Sequence, residues 1–86
     1  MLIEFDKADV RTANQHIGER LKSIRKQKGL RQTELADRVG VKSPQIHKFE
    51  SGDQRISSGM LFAIANVMGV EMNEFFRTIQ IANEIS

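Results

Sequence analysis

Cysteine is absent from this 86-residue chain, which excludes a disulfide framework and any thiolate zinc site and fits a cytoplasmic protein. The only two histidines, His16 and His47, are too far apart to form a metal-ligand pair on one helix. No apolar run approaches the roughly 18 residues of a membrane span. The acidic start MLIEFDKADV is too short in its apolar run for a signal peptide. The marks of an enzyme are missing too: no cysteine nucleophile, no acid and base paired at workable spacing, and no glycine-rich loop to cradle a phosphate. Neither repeats nor low-complexity linkers occur. These absences leave one small domain with a modest core, burying roughly 60% of its unfolded surface, and predict no enzymatic activity, no cofactor and no membrane partner.

What is present is charge, unevenly spread. Between Arg20 and Arg55 ten lysines and arginines stand against four acids, Glu34, Asp37, Glu50 and Asp53, while the rest of the chain carries three bases and seven acids. The net charge of +2 therefore conceals a basic middle between acidic ends. Such a middle favours a polyanionic partner, and the acidic flanks limit indiscriminate binding.

Apolar residues recur at helical spacing in short blocks, four of them closed by glycine. Ile17, Leu21 and Ile24 precede Gly29, and Leu35, Ala36 and Val39 precede Gly40. Ile46 and Phe49 form a third block, with Ser43 expected as N-cap, Pro44 at the first helical position and Gly52 beyond the end. Leu61, Ile64, Ala65 and Met68 form a fourth, capped by Ser57 or Ser58 and ended by Gly69. Met72, Phe75, Phe76, Ile79 and Ala82 form a fifth. The sequence predicts an all-α bundle of five short helices over residues 16–86. Residues 1–15 form an N-terminal arm, in which LIEF leaves a short strand and a disordered segment both open.

The segment QTELADRVGVKSPQIHKFESG, residues 32–52, reads helix, glycine-containing turn, helix, with too few turn residues for an antiparallel pair. That is a helix-turn-helix signature. The second helix is too short to stand alone, because isolated helices under about 12 to 15 residues are marginal in water. It is held through Ile46 and Phe49, which frees its opposite face. Taking about 100° per residue from Pro44, Lys48 falls near 40°, Ser51 near 340° and His47 near 300°, whereas Phe49 and Ile46 lie near 140° and 200°. Gln45 flanks this polar arc, and Lys42 and Ser43 sit at the tip that would enter a major groove. Glu50 borders the buried side, where Arg25 of the first helix is its expected partner.

The stretches GLRQTELADRVGV, IHKFESG and LFAIANVMGVEMNEFF resemble the bacterial and phage repressor domain of the Cro/C1 type, or XRE family. The resemblance runs from about Ile17 to Phe76 and implies a lambda-repressor-like fold. It implies base contacts from Ser43, Pro44 and Lys48, joined on the same face by Gln45 and His47, and backbone contacts from Arg31, Gln32 and Ser51, with Lys42 and Arg55 alongside. Phage relatives carry an ion pair that corresponds to Arg25 and Glu50, which implies a structural pair. Two positions depart from the pattern. Arg31 replaces the usual N-capping serine, which removes half of a capping box with Glu34 and sets a cation at the positive end of a helix dipole. Pro44 offers no donor where relatives often hydrogen-bond, so it can read only a thymine methyl, if anything.

On the fifth predicted helix Ile81 and Ile85 fall opposite the core stripe, and relatives commonly dimerise through this end. The expectation is a homodimer that binds double-stranded DNA at a palindromic operator and represses by occlusion. The alternative is an antitoxin-like module acting mainly on a protein partner through the N-terminal arm. Activating relatives touch RNA polymerase through an acidic residue of the second helix, and Asp37 occupies the matching place.

Overall fold

In the computed structural model of this protein, residues 7–77 are described, with side chains from Val10 onward. Four α-helices follow one another: α1 (Lys7–Gln27), α2 (Gln32–Val39), α3 (Ser43–Ser51) and α4 (Ser58–Met68), then a closing 3-10 helix (Met72–Phe76). No strand occurs among the described residues. The all-α class is as the sequence predicts; of the fifth predicted helix, Met72–Phe76 form a 3-10 turn, and the rest of its stripe lies outside the described residues.

The blocks read from the sequence meet in one core. Leu21 and Ile24 of α1, Leu35 and Ala36 of α2, Ile46 and Phe49 of α3, Leu61, Ile64, Ala65 and Met68 of α4, and Phe75 are all buried. Full burial of each large aliphatic or aromatic side chain stabilises by roughly 1.5 to 3 kcal/mol. α1 packs on α3 and on the 3-10 helix, while α2 lies between α3 and α4. The α2–α3 pair is thus braced from both sides.

Three expectations are corrected. Residues 7–15, for which a strand or a disordered segment was open, continue α1 to a length of 21 residues. Their exposed residues sit on a helix that Ile17, Leu21 and Ile24 anchor further along. Next, α3 begins at Ser43, with Lys42 as the extended N-cap residue and Pro44 in the first turn. The Gln45 N–H donates to the Lys42 carbonyl at 2.9 Å, which fixes the start one residue earlier than a serine cap requires. Finally, the 3-10 helix turns every three residues, which sets Met72 and Phe75 on the core side and leaves Phe76 40% exposed. The expected core residues Ile79 and Ala82, and the expected dimer residues Ile81 and Ile85, lie outside the described residues.

Capping decides between the two serines before α4. The Ser57 hydroxyl accepts from the Met60 N–H at 3.1 Å, which makes Ser57 the N-cap and Ser58 the first helical residue. Glycine is required at the two ends of the helix-turn-helix: Gly40 closes α2 at φ 78° and Gly52 closes α3 at φ 82°, a left-handed conformation that other residues adopt only at a cost.

Candidate nucleic-acid interface

The outer face of α3 is built as its periodicity demands. Ile46 and Phe49 are buried, whereas Pro44, His47, Lys48 and Ser51 are exposed and Ser43 and Gln45 half-buried. Lys42 at the tip of α3 and Arg55 in the following loop are exposed as well. The Ser51 hydroxyl already has partners, the Asp53 carboxylate at 3.0 Å and the Lys48 carbonyl at 3.2 Å. Its single hydrogen is therefore engaged within the loop that follows α3.

What holds α3 in place is a buried polar cluster. Arg25 of α1 and Glu50 of α3 are 7% and 6% exposed. The Arg25 Nε donates to Glu50 Oε2 at 2.6 Å and its Nη2 to Oε1 at 3.1 Å, while Nη1 donates to the Leu30 carbonyl at 2.8 Å. This two-pronged pairing suits the planar guanidinium fork. The same Glu50 Oε1 accepts a third bond, from Nε2 of Gln32 at 2.9 Å. The cluster therefore ties together α1, the turn before α2, the first residue of α2 and the end of α3. Sequence reasoning anticipates the Arg25–Glu50 pair but misses the Gln32 bond, because eighteen residues separate Gln32 from Glu50 and no periodicity relates them.

A second feature missed from sequence is Gly18, which sits in the middle of α1 with no turn to explain it. A Cβ there would come within 2.7 Å of the Glu50 carbonyl oxygen and still nearer that of Phe49. Glycine lets the backbone of α1 rest directly on the last turn of α3. The available signal was a glycine inside a helical stripe, a position that otherwise weakens a helix.

At the start of α2 the Arg31 N–H donates to Glu34 Oε1 at 2.9 Å, and the Arg31 Nε approaches the same oxygen at 3.2 Å. An arginine has no acceptor to return the bond, so only the glutamate half of a capping box is made. The Arg31 side chain remains 82% exposed. Accepting the Arg31 N–H, and then the Arg31 side chain, holds the Glu34 carboxyl below its ordinary value of 4.5. Asp37 is exposed on α2. Among the described residues no group of acidic or histidine side chains is placed to hold a metal ion, and no helix is long and apolar enough to cross a membrane.

A short helix anchored on one side, preceded by a braced partner helix and bordered by cations, defines a helix-turn-helix module. A helix-turn-helix family model matches residues 21–75. The chain belongs to this family, of the Cro/C1 type, whose members are DNA-binding transcriptional regulators. It is 35% identical over 77 residues to a transcriptional regulator in the ATPase CF(0) region of Rhodospirillum rubrum, covering 90% of this chain and 71% of that protein. It is 34% identical over 61 residues to the HTH-type transcriptional regulator y4wC of Sinorhizobium fredii, covering 71% of this chain and 43% of that one. Among solved structures it resembles the restriction-modification controller protein C.AhdI of Aeromonas hydrophila, with a TM-score of 0.71 and 26% identity over 74% of this chain and 97% of that one. The clp gene regulator ClgR of Corynebacterium glutamicum shares the fold, with a TM-score of 0.74 and 24% identity over 86% of this chain and 94% of that one.

Proposed function

We propose that this chain is a sequence-specific double-stranded DNA-binding regulator that binds a palindromic operator as a homodimer and represses by occluding a promoter. The observation that carries the reading is α3, anchored by Ile46, Phe49 and the Arg25–Glu50 pair, with Pro44, His47 and Lys48 exposed on its outer face. In this reading Ser43, Pro44, Gln45, His47 and Lys48 face base edges, and Lys48 donates to guanine O6 or N7. Arg31, Gln32, Lys42, Ser51 and Arg55 face the phosphate backbone and set the register. For Arg31, 82% exposed beside the Glu34 carboxylate, a phosphate at the N-terminus of α2 supplies a second anion. Ser51 must exchange its bond to Asp53 for one to phosphate. Dimer contacts come from Ile81 and Ile85, and Asp37 is the candidate contact to RNA polymerase.

The test is selection from a random double-stranded DNA pool at about 150 mM salt, followed by sequencing of what is retained. An enriched inverted repeat, with half-sites about one helical turn apart, is the expected result. Retention without any motif would remove sequence specificity from the reading. No retention at all would leave a protein partner as the chain's target.

A further inference from the structure

We propose that the buried Arg25–Glu50 pair positions Gln32 against DNA, a role that rests on the DNA-binding reading above and goes beyond bracing the helices. Gln32 is the first residue of α2 and is half-buried. Its amide nitrogen carries two hydrogens, and one of them is committed to Glu50 Oε1 at 2.9 Å. That bond fixes the orientation of a side chain that would otherwise sample several rotamers at a helix end. It also settles which end of the amide turns toward Glu50: the donor does, because a carboxylate only accepts. The second Nε2 hydrogen is left for an outside acceptor.

The Glu50 carboxylate can do this because Arg25 holds it from two directions, at 2.6 Å and 3.1 Å. Arg25 is itself fixed by the Leu30 carbonyl at 2.8 Å, one residue before Arg31. The chain of bonds thus runs from α1 through the end of α3 to the start of α2. A phosphate oxygen at the N-terminus of α2 then meets a donor already oriented, and the ordering entropy of Gln32 is met on folding rather than on binding. Glu50 and Arg25 are positioning residues in this account. Neither touches DNA.

A double-mutant cycle separates this role from simple bracing. One variant replaces the pair together, Arg25→Met with Glu50→Leu, since exchanging a buried ion pair for apolar residues of similar volume commonly preserves a fold. The other is Gln32→Ala, and the third combines all changes. Affinity for a selected operator is read by fluorescence anisotropy, with thermal unfolding recorded beside it. In the native background Gln32→Ala weakens binding about tenfold, the loss of one hydrogen bond to a charged group. In the pair-replaced background the same change costs less than about twofold, because the amide there is no longer held. The pair replacement alone weakens binding by a similar factor without altering the salt slope, since Gln32 is uncharged and the pair is neutral as a unit.

An equal cost of Gln32→Ala in both backgrounds would overturn the positioning role and leave DNA binding intact. Failure of the native protein to bind any DNA overturns the DNA-binding reading and this role with it. Should the pair-replaced protein not fold, NMR relaxation of the Gln32 side-chain amide in the native protein decides instead. An order parameter near about 0.8 is expected, and a value below about 0.6, as in a freely moving side chain, would overturn the proposal.

Discussion

At the scale of single residues, the proposed function separates groups that would read sequence from groups that would read charge. Lys48 is exposed on α3 and forms no ion pair among the described residues, so its ammonium group can donate into a groove. Lys48→Ala should cost about 1 to 3 kcal/mol on the best operator and little on a scrambled one. Arg31→Ala should instead weaken all sequences alike and lower the salt slope by about one per half-site, about two for two copies on a full operator. Competition titrations with specific and scrambled duplexes distinguish these outcomes, and equal loss of preference in both variants would refute the division. Glu34 carries a pH prediction. Its carboxyl is held low by accepting the Arg31 N–H and then the Arg31 side chain, so the charged form is favoured in the folded protein. A depressed folded pKa contributes stability above the unfolded value near 4.5, and that contribution is lost as pH falls through the lower folded value. Because the pair is exposed to solvent, the effect is confined to the first turn of α2. Hydrogen exchange of the α2 N-terminal amides should accelerate, relative to the core, only below about pH 4.5, and Glu34→Gln should remove that difference.

At the scale of elements, the close crossing of α1 over the end of α3 controls how firmly the recognition helix is held. An exposed mid-helix glycine replaced by alanine would gain about 0.5 to 1 kcal/mol. At Gly18 the new methyl meets the Phe49 and Glu50 carbonyls, backbone atoms that cannot step aside. Gly18→Ala should therefore destabilise by about 1 to 3 kcal/mol, read as a lower urea midpoint, and DNA affinity should drop with it as α3 shifts. An unchanged midpoint would mean that the crossing is loose. This contact also marks where the sequence ceases to be legible. The apolar blocks, their glycine stops and the buried positions of Leu21, Leu35, Ile46, Ile64 and Phe75 were readable because helical spacing and capping are local properties. So was the polar arc of α3. The approach of Gly18 to Phe49 was not, nor the bond from Gln32 to Glu50, since both are tertiary and leave no periodic trace. The extension of α1 back to Lys7 was missed for a different reason: residues 7–15 carry only a weak apolar stripe, and the helix is propagated from its anchored end. The start of α3 was misplaced by one residue because serine is the stronger N-cap by propensity, while the backbone places Lys42 there.

At the scale of the whole molecule, the uneven charge makes a prediction about assembly. Arg31, Lys42 and Arg55 are exposed cations at the start of α2, the tip of α3 and the loop beyond it, and in the DNA-binding reading each faces a phosphate. Arg20 and Arg77 do not join them. The Arg20 Nε donates to the Glu74 carbonyl at 2.8 Å, and Arg77 pairs with the Glu74 carboxylate at 3.2 Å, so these charges secure the 3-10 helix instead. Neutralising three phosphates per protomer gives a salt slope of about −2.7 for one copy on a half-site and about −5.4 for two copies on a full operator. Between about 50 and 200 mM salt the first falls roughly fortyfold in affinity and the second by roughly three orders of magnitude. Anisotropy titrations across that range, on a half-site duplex and on a full inverted repeat, read both slopes on one protein. A slope that doubles when the second half-site is added shows that two copies bind as a unit. If the slope stays near −2.7 on the full operator, at one protein per duplex, the homodimer fails even though DNA binding stands. That result would also remove Ile81 and Ile85 from any role in assembly, and the specificity of the chain would have to come from a single α3 reading a single half-site.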